Sequence, residues 1–158
     1  MTHAMRMLLG VSALWAPLAP AQETLGALLD ANAARISREQ FERDLIQRVL
    51  VGPTQTGGSL EVIYTVNGQI EGTGTMRPGI ESAINRARIQ GKWTNDGAGR
   101  ICTSLSYIAQ AGGNVNAGIG MGSLPPRCQY WYKLGDTYFI SDSDTDRSGK
   151  VLKRTIKQ

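Results

Sequence analysis

The chain contains two cysteines, Cys102 and Cys128, and each lies beside a turn in a segment of alternating polarity. This pair constrains the fold more than any other feature. Cys102 follows the turn Asp96-Gly97-Ala98-Gly99-Arg100, and Cys128 opens the aromatic run Gln129-Tyr130-Trp131-Tyr132. If both strands belong to one sheet, the two Cα atoms can reach the ~5.5 Å separation that a disulfide requires. Closing the loop between them would then contribute about 3.5 kcal/mol on a chain-entropy argument. Two cysteines pair in this way in an oxidising compartment, so the reading depends on where the chain resides.

The first residues address that question. Met1 to Arg6 carries one positive charge. Met7 to Trp15 is apolar but too short to span a bilayer, and Ala19-Pro20-Ala21 supplies the small residues a signal peptidase needs. This order predicts a signal peptide over residues 1–21, cleavage before Gln22, and a periplasmic or secreted mature chain. Cleavage removes His3, the only histidine. The mature chain then lacks imidazole, which excludes Ser-His-Asp and Cys-His catalysis and histidine zinc sites. It also removes Arg6, leaving a net charge one below the +4 of the whole chain. The basic residues are scattered, apart from Lys150, Lys153, Arg154 and Lys157 near the C-terminus. That distribution does not point to nucleic acid, and the C-terminal group reads as a solvated edge strand protected by its lysines.

Residues 22–50 read as a helical segment and residues 51–158 as an antiparallel β-domain. Leu25, Leu28, Leu29 and Ala33 recur at helical spacing. After a break at Ile36, Ser37-Arg38-Glu39-Gln40 forms a capping box, and Phe41, Leu45, Ile46 and Val49 make the apolar stripe of a second helix. Gly52-Pro53 ends it. From there the period changes to two. Leu60, Val62, Tyr64 and Val66 alternate with Glu61, Ile63 and Thr65, and Asn67-Gly68 predicts a type I′ hairpin turn. Residues 69–75 return, with Gly72 and Gly74 marking curvature or a bulge. Residues 81–87 allow one helical turn. Residues 88–94 and 100–108 form the next pair of strands, and residues 110–126 a long glycine-rich loop. Residues 127–133, 137–141 and 150–156 supply the last strands. The fold class is therefore mainly β with a helical start (α+β). Two short N-terminal helices precede a meander of seven to eight antiparallel strands, forming a small barrel or a strongly curved sheet with one disulfide.

Several groups of residues suggest chemistry. Tyr107, Tyr130, Trp131 and Tyr132 are candidates to line a barrel mouth and bind a ligand. Asp142, Asp144 and Asp146 have the one-three-five spacing of a calcium loop, but Arg147 stands where that loop needs glycine and Lys153 where it needs glutamate. A polar hairpin turn accounts for them better. Glu61 and Glu71 lie on the two arms of one hairpin, the arrangement a carboxylate hydrolase would need. The glycine-rich run from Ala111 to Pro126 lacks the lysine and following helix of a phosphate loop. No cofactor is implied. The composition fits a non-enzymatic envelope domain that binds a small ligand, a glycan or a protein. A protease inhibitor and a carboxylate-based hydrolase are the alternatives.

The assembled pattern resembles a group of small exported proteobacterial proteins whose activity is not assigned. The residues that carry the resemblance are Ile36-Ser37 with Gln40, Leu50-Val51-Gly52, Tyr64 with Asn67-Gly68, Gly91-Lys92-Trp93, Asp96-Gly97 with Gly99-Arg100 and Cys102, Cys128 with Tyr130-Trp131, and Gly135-Asp136. It implies an exported, single-disulfide β-domain and is silent on activity. A weaker likeness is to small periplasmic metalloprotease inhibitors, which are single-disulfide β-barrels acting through an extended N-terminal trunk. Helices are expected at that position here.

Overall fold

The computed structural model describes residues 23–76, 85–110 and 121–158. The expected signal peptide lies outside the described residues, as do residues 77–84 and 111–120. In chain order the elements are α1 (Leu25–Asp30), β1 (Ala34–Arg35), α2 (Arg38–Leu45), β2 (Val49–Pro53), β3 (Ser59–Tyr64), β4 (Gln69–Met76) and β5 (Asn85–Asn95). Then come β6 (Ile101–Gln110), β7 (Met121–Ser123), β8 (Arg127–Leu134), β9 (Thr137–Ser141) and β10 (Val151–Ile156).

Antiparallel pairing runs β8-β9-β10-β2-β3-β4-β5-β6, and a further pairing of β6 with β8 closes this order into an eight-stranded barrel. Closure removes the free sheet edges that a curved open sheet would expose. β1 adds a two-residue pairing to β8, and β7 adds three residues to β6. The closing seam is short: Ile101, Cys102 and Thr103 face Gln129, Cys128 and Arg127. The disulfide joins its central pair, with Cα atoms 3.8 Å apart. That is shorter than the ~5.5 Å expected of a bridged pair and than the about 4.5 Å of the closer opposed pairs in an antiparallel ladder.

Period-two alternation aims one face of every strand inward. Leu50, Val62, Tyr64, Ile70, Trp93, Ile101, Trp131, Tyr138 and Ile140 are buried there together with Phe41 and Leu45 of α2. Glycines help the wall bend. A Cβ on Gly72 would stand 2.1 Å from the Glu61 carbonyl oxygen, and one on Gly91 would stand 2.2 Å from that of Ser104. Neighbouring strands pass close at these points only because no side chain intervenes.

The capping box forms as expected: the Ser37 N–H donates to Gln40 Oε1 at 2.8 Å, and the Gln40 N–H donates to Ser37 Oγ at 3.2 Å. α2 thereby enters at a fixed angle and lays Phe41 against Tyr64, Trp93 and Trp131, with ring centroids 5.4, 5.5 and 5.1 Å away. These edge and tilted contacts fill one end of the barrel. α1 instead packs outside. Leu25 and Leu28 cover Tyr132, Phe139 and Val151 on the outer face of β8–β10.

Four local expectations need correction. The second helix stops at Leu45, not Leu50; Gln47 has a φ of 62°, and Val49–Pro53 is strand. The β-branched Val49 and Val51 fit a pleated ladder better than a helix. Of the residues at the Asn67-Gly68 turn, Gly68 alone has positive φ, at 76°. A type I′ turn needs two such residues, so the connection is a longer loop closed by Thr65 N–H to Gln69 O at 2.9 Å. β10 lies between β9 and β2 and is not an edge. Within the expected glycine-rich loop, Met121–Ser123 pairs with β6. The possible helical turn at 81–87 falls partly outside the described residues, and Asn85 onward is strand.

Candidate functional site

At the end of the barrel away from Phe41, the interior opens into a cavity of about 340 Å³. This is the size of a compact small-molecule site. Leu60, Ala87, Ile89, Leu105 and Leu152 supply its apolar wall, and Tyr107 lies along it. Thr54, Gln55, Arg127 and Gln129 add polar groups, and Arg154 also lines the space. Among the described residues, no Asp or Glu lines it.

Arg154 follows from the alternation of β10. Leu152 and Ile156, two residues to either side of it, pack on the interior core. Arg154 is therefore carried inward and is only 5% exposed. Its Nη1 donates to the carbonyl oxygens of Pro53 and Lys153, each at 2.8 Å. Gly52 makes room, since a Cβ there would stand 2.7 Å from Nη1. Among the described residues, no carboxylate pairs with the guanidinium, and neither Nε nor Nη2 has a protein partner. Burial pulls its pKa below the usual arginine value, and the nearby Tyr64 opposes that fall. An arginine nevertheless keeps its charge in a protein. Burial pushes the Tyr64 phenol up to about 12, with the Arg154 charge resisting. At neutral pH the phenol is thus uncharged and cannot act as the missing anion.

The other cation at the mouth is neutralised. Arg127 lies 3.7 Å from Asp142 and hydrogen-bonds Gln55 through its Nη1. Asp142 also accepts from Gln129 Nε2 at 2.7 Å and from Gln55 Nε2 at 3.4 Å. This rim network braces the mouth and, among the described residues, leaves Arg154 as the uncompensated charge inside.

The residues anticipated for ligand binding separate. Tyr107 lines the cavity, whereas Trp131 belongs to the aromatic cluster at the filled end. Tyr130 lies under the Arg35 guanidinium, 4.3 Å from its ring centroid, and Tyr132 packs beneath α1. The physical reason is again the period of two: adjacent residues of β8 cannot share a face. The three aspartates of the loop before β10 also point to different duties. Asp142 holds the rim, Asp144 pairs with Arg35 at 3.4 Å, and Asp146 accepts from the Ser148 N–H and hydroxyl at 3.0 and 2.7 Å. One close group of acid and sulfur ligands is found among the described residues, Asp96 with Cys102 and Cys128. Its sulfurs are bonded to each other and offer no thiolate.

A larger, open groove of about 810 Å³ lies along β2–β5. Glu61 and Glu71 both line it. Lys157 Nζ donates to both oxygens of Glu61 at 2.9 Å. Both side chains of that pair are exposed, so it is a weak surface contact.

Sequence reasoning missed Arg154, grouping it with its lysine neighbours. The available signal was its place between Leu152 and Ile156 on one face of the last strand. Comparison with known protein families, with curated proteins and with solved structures finds no match. The functional reading therefore rests on the site.

Proposed function

We propose that the chain is an exported, non-enzymatic β-barrel that binds a small ligand in its interior within the cell envelope. The observation that carries this reading is the cavity. One end of the barrel is filled by Phe41 and its aromatic neighbours, while the other holds an apolar-walled space bounded by polar groups. That combination is what a small-molecule site requires: an apolar wall for affinity and a few fixed polar groups for orientation. Export is supported by the leader pattern of residues 1–21 and by the disulfide, which an oxidising compartment maintains.

A neutral apolar dye, N-phenyl-1-naphthylamine, tests the binding reading. It should bind saturably at one site, and Ala87→Phe, which fills the cavity from its wall, should abolish binding while the fold persists. Binding unchanged by that substitution would refute the interior as the site. Mass spectrometry of protein from the native host should find Gln22 at the N-terminus; an intact Met1 on soluble protein would refute export.

A further inference from the structure

The cavity holds a buried cation with no counter-ion among the described residues. A desolvated charge is costly unless it is paired, and a leucine or methionine at position 154 would pack the same face without that cost. Its donors are also unevenly used. A guanidinium presents five N–H groups in a fixed planar fork. Nη1 spends both of its hydrogens on Pro53 O and Lys153 O. That anchors the plane and leaves the Nε–Nη2 edge, whose two parallel N–H bonds match the two oxygens of a carboxylate. The surrounding wall is apolar, from Leu60, Ile89, Leu105 and Leu152, and contributes no acid that would repel an anion.

We propose that the ligand is a carboxylate amphiphile, its head on the Nε–Nη2 edge of Arg154 and its hydrocarbon tail against the leucine and isoleucine wall. This rests on reading the interior as the binding site, and it names the ligand class for that site. Recognition needs both parts. A small hydrophilic anion would leave the wall wet, and a neutral hydrocarbon would leave the guanidinium unpaired. A cationic amphiphile would place two like charges in one low-dielectric space.

Calorimetric titration of the oxidised mature chain with decanoate and decyltrimethylammonium, each below its micellar concentration, and with 1-decanol below its solubility limit, tests the proposal. Decanoate should bind at least about tenfold tighter than 1-decanol, the value of one charge-assisted hydrogen bond, and the cation should not bind. Arg154→Met should lose at least that factor for decanoate and hold 1-decanol as tightly or more so. Arg154→Lys, which keeps the charge but not the fork, should fall between. If wild-type protein binds decanoate and 1-decanol equally, or if Arg154→Met leaves decanoate binding unchanged, the head-group assignment is wrong while the interior site stands. If none of the three binds and the neutral dye also fails, the interior site itself is wrong. Should Arg154→Met fail to fold, the wild-type head-group series decides alone.

Discussion

Replacing both Cys102 and Cys128 with serine should open the barrel along one line before it unfolds elsewhere. β6 and β8 share three register pairs, whereas β5 and β6 pair from Arg86–Gln110 through Asn95–Ile101. The seam therefore has few ladder hydrogen bonds of its own, and the disulfide ties its central pair. A separation of 26 residues implies about 3.5 kcal/mol of loop-closure entropy removed from the unfolded chain. For a domain of this size that corresponds to a fall in Tm on the order of 10 °C. Urea titration of the oxidised and double-serine proteins reads the magnitude, and amide hydrogen exchange reads the place. Protection at Ile101, Thr103 and Gln129 should drop by more than protection in β3 and β4, because local opening frees the least-paired strands first. A loss below about 1 kcal/mol would refute the reasoning, as would an equal loss of protection in every strand.

Three further predictions follow from the packing and from titration. Phe41→Ala should cost about 3–5 kcal/mol in chemical denaturation, because it removes the ring that touches Tyr64, Trp93 and Trp131; a change under 1 kcal/mol would mean α2 does not fill that end. Gly72→Ala should destabilise by about 1–3 kcal/mol, since its Cβ would meet the Glu61 carbonyl oxygen at 2.1 Å and Val62 Cγ1 at 2.7 Å; a neutral result would show that the wall can relax there. Tyr64 favours its neutral form in the folded state, with a pKa raised from the ordinary 10.0 to about 12. Its contribution, about 3 kcal/mol, is complete below pH 10 and lost as pH rises towards 12. Denaturation midpoints measured across that window should fall, and Tyr64→Phe should flatten the fall.

Much of this architecture is legible from local pattern because local pattern causes it. The Ser37–Gln40 box, the alternation of Leu60, Val62 and Tyr64, and the pairing of Cys102 with Cys128 each depend on residues whose roles are set by spacing and chemistry. Closure is not legible locally, because it depends on β6 meeting β8, a contact between residues far apart in sequence with no local signature. The end of the second helix is masked because Phe41, Leu45 and Val49 keep helical spacing across the point where the backbone turns at Gln47. The site was harder still. Tyr130, Trp131 and Tyr132 are conspicuous as a run, yet a strand sends neighbours to opposite faces, and Trp131 alone of the three points inward. Arg154 is inconspicuous among lysines, and its importance comes from a central position in the sheet that no nearby residue announces.

The decisive question is whether the barrel interior, and not the outer groove, receives a ligand. Methyl-resolved NMR of the mature chain titrated with decanoate tests this most directly. The predicted result is saturable shifts at Ile89, Leu105 and Leu152, with Leu45 on α2 at the filled end and Ile63 in the outer groove unmoved. Shifts centred on Val49, Val51 and Ile63 in that groove, with the methyl groups of Ile89, Leu105 and Leu152 unchanged, would contradict it.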